Sequence, residues 1–498
     1  MDTNKNIRKR TKIVATLGPA TDTKEKIRQL IASGMNVARI NFSHGDHISN
    51  GKLISIIKEL RAEMGEPIGI IADLQGPRIR TVVEKEVRVE KGEKIIIVDG
   101  LDSTQLGNTR FLTPKQIAES KLKNHKVIGL DWKGILADIA MGNEILIEDG
   151  LMKVVVVEKY KEYLVAKVKD GGVVKNHKGV NIPDADLNVG IVTAKDEKDL
   201  LFALEQEVDF VALSFVSNAE EILEVKNKIK KILGASSIQP QIVAKIERKE
   251  AIKNIIEIIH ATDVIMVARG DLGIEMEESR VVIYQKEIIA RCLRLATPVI
   301  VATQMLNSMI ENPRPTRAEV SDVSNAVIDH TDAVMLSGET ANGKYPIETV
   351  RIMKEIITST EKSPFDFLVH GFLGDEEHSV SAAIAHSAHE LSKDTHAVAI
   401  VAASVSGFTA RMITRHRPSN AVFVITNNVK THNQLSLVWG VESFVLPECK
   451  TLDELIDRSM EALEKNQKIK AKDKLIIVAG RPNVVKEHMS LIKVEEVR

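Results

Sequence analysis

Eight short runs of apolar, largely β-branched residues, each followed by a helical pattern, organise the sequence from Thr11 to about Ala341. They read TKIVATLG (11–18), NVARINF (36–42), PIGIIADL (67–74), VDFVALSF (208–215), QIVAKIE (241–247), DVIMVAR (263–269), PVIVATQM (298–305) and DAVMLSG (332–338). A strand that is apolar on both faces must be covered on both faces, and helices between such strands make the sheet parallel. Eight of them predict a (β/α)8 barrel rather than an open sheet.

One interval breaks the rhythm. Between Asp73 and about Asp209 the pattern becomes all-β, with KIIIVDG, EILIEDGLMKVVVVE and YLVAKVK separated by Gly and Asp turns. A small β-domain inserted after the third strand, over 81–174, accounts for this. The alternative is a long irregular loop, and such loops are rarely so rich in strand patterns. After about residue 365 a second α/β rhythm runs through AVAIVAAS, AVFVITNN and KLIIVAG, with helical stretches between them. The expected organisation is a barrel over 1–80 and 175–360, the insertion, and an open α/β domain over 365–498, with 361–378 as linker. Three domains suit 498 residues at roughly 100–200 residues each.

Charge excludes several functions. Lys and Arg number 68 against 69 Asp and Glu, without the basic excess of a nucleic-acid protein. Aromatic residues are only 3 %, too few for base-stacking platforms. The two cysteines, Cys292 and Cys449, cannot build a disulfide framework, which points to a reducing compartment. The charged start MDTNKNIRKRTK has no apolar core of a secretory signal, and no apolar run reaches the ~18 residues of a membrane span. The expectation is a cytoplasmic protein without a membrane anchor.

Barrel enzymes place their chemistry at the C-terminal ends of the strands. Here those ends carry Arg39, Asn41 and Ser43 after strand 2 and Asp73 after strand 3. Strand 5 ends in Lys245 and Glu247, strand 6 in Arg269-Gly270-Asp271, strand 7 in Thr303, and strand 8 in Ser337 and Glu339. Residues two apart on a strand face the same way, so one mouth receives acids, bases and hydroxyls together. A Lys–Glu pair at that spacing is commonly a plain salt bridge; the concentration of such pairs at one mouth carries the functional reading. Glu247 and Asp271 are hard oxygen ligands of the kind Mg2+ or Mn2+ prefers. Lys245 and Arg39 can offset the charge of a phosphoryl group in transfer. No GxxxxGK[ST] loop is present.

The stretches TKIVATLGPAT, GMNVARINFSHG, DLQGP, KGVNIP, KIER, VARGDLG, ATQML, NPRPTRAEVSDVSNAV and TDAVMLSGETANGKYP occur in the order seen in pyruvate kinases. The chain resembles that family along essentially its whole length. The resemblance implies a TIM barrel with an inserted β-barrel lid and a C-terminal α/β domain, a homotetramer, and conversion of phosphoenolpyruvate and ADP to pyruvate and ATP. Residue by residue, it implies that Arg39 contacts the substrate phosphate and Lys245 stabilises the transferring phosphoryl group. Glu247 and Asp271 would bind Mg2+ and the Gly270 amide the substrate carboxylate, with Thr303 beside the enol carbon. Arg80 and Lys178 would reach the nucleotide phosphates, with the turn Asn41 to His44 nearby. Thr303 and Ser337 are the candidates for relaying the final proton.

Members that need K+ carry Asp-Thr-Lys-Gly-Pro-Glu at the third strand, whereas this chain reads Asp73-Leu74-Gln75-Gly76-Pro77-Arg78. Asn41, Ser43 and Asp73, with Leu74 in the threonine's place, mark a K+ site that is either vestigial or still in use. In members that need no K+ the Glu is a Lys. An arginine there is a fixed charge that never deprotonates, so K+ is expected to be dispensable; the alternative is a solvated hinge arginine. His330 stands where the family has a Gly, and His tolerates a left-handed backbone at modest cost. In the last domain, Ser404, Ser406, Gly407 and Thr409 lie between a strand and a helix. In the family that position takes a sugar-phosphate or nucleotide effector; a plain helix cap through Ser406 is the other reading. The sequence stops at Arg498 soon after its last strand, so the extra phosphohistidine-type domain of some bacterial relatives is not expected.

Two rival functions remain: another Mg2+-dependent barrel enzyme acting on phosphoenolpyruvate or oxaloacetate, and a non-catalytic metabolite-binding regulator of the same fold. The first lacks the inserted domain together with this C-terminal one. The second has no need to keep Arg39, Lys245, Glu247, Asp271 and Thr303 together.

Overall fold

The computed structural model describes residues 9–100, 125–183, 185, 187, 190–234, 238–366, 379–480 and 489–498. All eight apolar runs form strands, one or two residues shorter at most ends: β1 (Lys12–Leu17), β2 (Val37–Asn41), β3 (Gly69–Asp73), β4 (Phe210–Leu213), β5 (Gln241–Ile246), β6 (Val264–Ala268), β7 (Val299–Ala302) and β8 (Ala333–Leu336). Each pairs in parallel with the next and β8 closes on β1, giving a barrel. The alternation of side chains sorts the strands into two cores. Ile13, Ala15 and Leu17 of β1 pack outward against the helices, while Val14 points inward with Val37, Ile71, Phe210, Val243, Met266 and Ile300.

That parity also builds the mouth. Two residues beyond the inward Val14, Val37, Ile71 and Val243 stand Thr16, Arg39, Asp73 and Lys245. The apolar layer in the middle of the barrel therefore continues into a polar layer at its C-terminal end, and both follow from a side-chain period of two.

The insertion is a seven-stranded sheet and a separate two-stranded ribbon, Val87–Val89 with Gly172–Val174. Its strands include Lys94–Val98, Glu144–Ile147, Met152–Lys159 and Leu164–Asp170, and Ile95, Ile97, Ile145, Val154, Leu164 and Ala166 bury a core of their own. An irregular loop is thereby excluded, because a loop has no such core. The C-terminal domain is a five-stranded sheet: four parallel strands plus the antiparallel Leu491–Glu496. The expected linker lies outside the described residues from 367 to 378.

The C-terminal domain closes the barrel's lower end. Leu437, from the short 3-10 turn Leu435–Leu437, joins the inward-facing core at 1 % exposure. Ser436 presses so closely on β3 that a Cβ at Gly69 would meet its Oγ at 2.7 Å. Nearby, Trp439 is flanked by two guanidinium groups, Arg10 at 5.1 Å and Arg417 at 4.9 Å. Arg417 pairs at 3.0 Å with Asp332, whose other oxygen accepts the Trp439 N–H. His330 takes the left-handed conformation, φ 63°, expected of the residue in a glycine's place. Among the described residues no helix is long and apolar enough to cross a membrane.

Candidate active site

The polar layer forms one bonded network. Arg39 Nε donates to Asp73 Oδ2 at 2.6 Å and its Nη1 to Thr16 Oγ1 at 3.0 Å. Lys245 Nζ lies 3.4 Å from Asp73 Oδ1 and 2.8 Å from Glu247 Oε1, and donates to Ser214 Oγ at 2.7 Å. Glu247 Oε2 accepts the N–H of Phe215 at 2.8 Å, and Phe215 reaches that orientation with a left-handed φ of 59°. Two cations and two carboxylates are thus packed where water is scarce, Asp73 and Glu247 each at 1 % exposure.

Burial and charge oppose each other across these groups. Burial pushes the Asp73 carboxyl up, but Lys245 and Arg39 outweigh it and hold its pKa below the ordinary value. For Lys245, burial pulls down while Asp73 and Glu247 prevail, and the ammonium is held above its usual range. Glu247 is raised, first by burial and further by the negative charge of Asp271; Lys245 opposes both. A buried carboxylate raised further by a second negative charge is in the environment a divalent cation relieves. Among the described residues no cluster of three or more His, Cys, Asp or Glu side chains is gathered for a metal. An ion here would rest on Glu247 and Asp271 and take its other ligands from substrate and water, the usual habit of Mg2+.

Across the mouth, Asp271 sits in the first turn of the helix Arg269–Glu275, which starts directly from β6. Gly270 N–H donates to Thr303 Oγ1 at 2.9 Å, and that hydroxyl donates to Ala302 O at 2.7 Å. Thr303 has φ 66° and Gln304 φ 54°. A β-branched residue rarely occupies that region, and strain of about 1–3 kcal/mol persists only where surroundings over-determine it. Arg269 supplies part of that hold through Nη2 to Thr303 O at 2.7 Å. The Ser337 hydroxyl is buried with no hydrogen-bond partner among the described residues, while its N–H is taken by Glu339 at 2.7 Å.

The remaining candidates fall elsewhere. Arg80 and Lys178 stand at the hinge of the insertion, where Arg80 bridges to Gly179 and Lys178 Nζ pairs with Glu148 at 2.6 Å. Arg78 pairs with Asp149 of the insertion at 3.4 Å; the positive charge beside Asp73 comes from Arg39 and Lys245. Leu74 is buried, and Asn41 Oδ1 accepts the Ser43 N–H at 3.1 Å, tightening the turn that leads to the exposed His44. In the C-terminal domain Ser404 and Thr409 are buried, Gly407 has φ 80°, and Ser406 Oγ accepts from Phe408 N at 3.4 Å. Gly407 is the N-cap of the helix Phe408–Thr414 and no side chain makes a capping bond there, so the Ser406 contact lies one residue before the cap. Sequence reasoning missed Thr16 and Ser214, although both continue the inward parity of β1 and β4. It placed Arg269 at the end of strand 6 and gave it no role.

The family model described as "Pyruvate kinase, barrel domain" matches residues 8–350, and the one described as "Pyruvate kinase, alpha/beta domain" matches 382–495. Pyruvate kinase of Geobacillus stearothermophilus is 39 % identical over 495 residues, covering 97 % of this chain and 81 % of the relative. Pyruvate kinase of Clostridium acetobutylicum is 37 % identical over 491 residues, with 98 % and 99 % covered. A crystal structure of a pyruvate kinase from Cryptosporidium parvum superposes with a TM-score of 0.88 at 32 % identity, covering 100 % of this chain and 98 % of the other. With both major domains and nearly the whole length matched, the chain belongs to the pyruvate kinase family.

Proposed function

We propose that the barrel mouth transfers the phosphoryl group of phosphoenolpyruvate to ADP, giving pyruvate and ATP. The observation that carries this reading is the Lys245–Glu247–Asp73–Arg39 network at the strand ends, facing Gly270, Asp271 and Thr303. Arg39 and Lys245 hold positive charge where a transferring phosphoryl group spreads negative charge, and a preorganised cation in a dry site costs no reorganisation during transfer. Glu247 and Asp271 would hold Mg2+ or Mn2+, which supplies Lewis-acid charge to the phosphoryl oxygens when bound. The Gly270 amide, which donates to Thr303 Oγ1 here, would exchange that bond for the substrate carboxylate. The hydroxyls of Thr303 and Ser337 supply the relay that carries a proton to the enol carbon; the unpartnered Ser337 Oγ supports its part in that relay.

Arg80 and Lys178, with Asn41 and His44, would take the nucleotide, and the insertion would close over it and keep water from the phosphoryl group. K+ is dispensable in this reading, Arg78 supplying the fixed charge from the loop after β3. The exposed Ser406 and the turn around Gly407 form our assignment for a phosphorylated effector, a sugar phosphate or a nucleotide. A homotetramer in the cytoplasm completes the reading; the half-exposed Val282 and Ile283 on helix Glu278–Arg294 offer apolar surface for contacts between copies.

The test is pyruvate formation from phosphoenolpyruvate, ADP and Mg2+ in buffer free of K+, Na+ and ammonium, followed by addition of K+. Activity from the outset, little changed by K+, supports the whole reading. Activity only after K+ keeps the enzyme and removes the role of Arg78. Silence in both buffers, with sugar-phosphate and nucleotide effectors added, favours the non-catalytic regulator.

A further inference from the structure

The helix that returns the chain from the insertion to the barrel, Ala194–Glu205, is bonded to both loops that follow β2 and β3. Asp196, in its first turn and fully buried, accepts the N–H of Gly76 through Oδ1 at 3.1 Å. Its Oδ2 accepts the Thr193 N–H at 3.0 Å, so one carboxylate both starts the helix and fastens the loop after β3. The next grip is on the loop after β2. Lys195 Nζ donates to Phe42 O at 2.6 Å and to Asp199 Oδ2 at 2.6 Å. Asp199 Oδ1 lies 2.7 Å from His47 Nε2, and the His47 ring stacks on Phe202 at 4.4 Å.

Charge-assisted bonds are directional, and all five of these hydrogen bonds have a backbone group or a buried carboxylate at one end. The loops they hold carry Asn41, Ser43 and His44 on one side and Asp73 and Leu74 on the other. Among the described residues the side chains of Asn41, Ser43 and His44 make no bond to Lys245, Glu247 or Thr303, while Asp73 meets Lys245 at 3.4 Å. The turn after β2 is therefore tied to the return leg of the insertion, and the Lys245 network meets the clamped loops through Asp73 at the end of β3.

We infer that Lys195, Asp196 and Asp199 are positioning residues for the nucleotide side of the mouth, locking the turn Asn41–His44 and the loop at Gly76 to the insertion's return leg. This rests on the nucleotide assignment proposed above. The inference predicts a split in kinetic constants: loosening the clamp weakens ADP while leaving the chemistry and the phosphoenolpyruvate side intact.

Lys195 is half-exposed, so its replacement spares the core. In the full-length Lys195→Met protein, KM for ADP should rise about tenfold, with kcat and KM for phosphoenolpyruvate within about twofold, because small misplacements of binding groups carry penalties of this order. Lys195→Arg should restore KM for ADP, and thermal melting should be unchanged in both variants. An unchanged KM for ADP in Lys195→Met overturns the inference. So does an equal loss in kcat and both KM values together with a lowered melting temperature, which marks a role in stability alone. If the unmodified chain shows no turnover, the proposed activity has failed, and Mg2+–ADP binding followed by calorimetry in the two proteins decides the clamp by the same tenfold criterion.

Discussion

Lys245 Nζ lies 2.8 Å from Glu247 Oε1, and the two side chains meet because they are two residues apart at the end of one barrel strand. The pair is buried, and the lysine is shared with Asp73 on β3. A cation held between two carboxylates keeps its charge and its place. In the proposed reading both serve a group that would meet a phosphoryl oxygen without first shedding water.

In the proposed reading Glu247 would hold the metal through its charged carboxylate. In Glu247→Gln the Mg2+ concentration for half-maximal rate should rise at least about tenfold, the cost of losing one of two carboxylate ligands. Initial rates against free Mg2+ read this directly. A response curve overlying that of the unmodified chain removes Glu247 from the metal shell.

Glu275 joins the barrel to the insertion by accepting from Asn181 Nδ2 at 3.3 Å, and its carboxyl is pushed up to about 7, chiefly by burial. A carboxyl raised on folding ionises first in the unfolded chain. Its contribution is therefore most favourable below the ordinary value and declines as pH rises towards 7. Glu275→Gln should leave the unfolding free energy nearly unchanged at pH 4.5 and raise it by about 3 kcal/mol at pH 8. Denaturant melts at the two values would show the difference; equal offsets at both would contradict it.

Leu437 is a C-terminal-domain residue inside the barrel core. Leu437→Ala leaves a cavity beneath β3 and should cost about 2–5 kcal/mol in unfolding free energy. Because the barrel's lower end is then open, the loss should appear in the transition reported by the barrel and not only in that of the C-terminal domain. A loss below about 1 kcal/mol would mean that the core refills.

Arg78 supplies a fixed charge on the loop after β3, yet pairs with Asp149 across the hinge. If that charge substitutes for K+ during turnover, Arg78→Glu should lower the K+-free rate by about tenfold or more, and K+ should recover it. A variant that is slow and indifferent to K+ would assign Arg78 to the hinge alone.

Much of this architecture was legible because it follows from periods. The eight strands, their inward parity and the strand-rich insertion are local patterns, and Arg39, Lys245 and Glu247 fall at the mouth by counting in twos. What was not legible depends on partners distant in sequence. Asp196 reaches the amide of Gly76, and Lys195 the carbonyl of Phe42; a backbone partner leaves no trace in residue type. Nothing in the segment around Leu437 says that it enters another domain's core. The pairing of Arg78 with Asp149 depends on where the insertion folds back, which no spacing along β3 encodes.

The central claim is that Lys245 carries phosphoryl transfer at this mouth. The direct measurement is pyruvate formation by Lys245→Met beside the unmodified chain at saturating phosphoenolpyruvate, ADP and Mg2+, with Mn2+ binding recorded for both. The account predicts a loss of at least about a thousandfold in kcat with Mn2+ still bound, since a preorganised charge at the transferring group is worth that order. Turnover of Lys245→Met within about tenfold of the unmodified chain would contradict it.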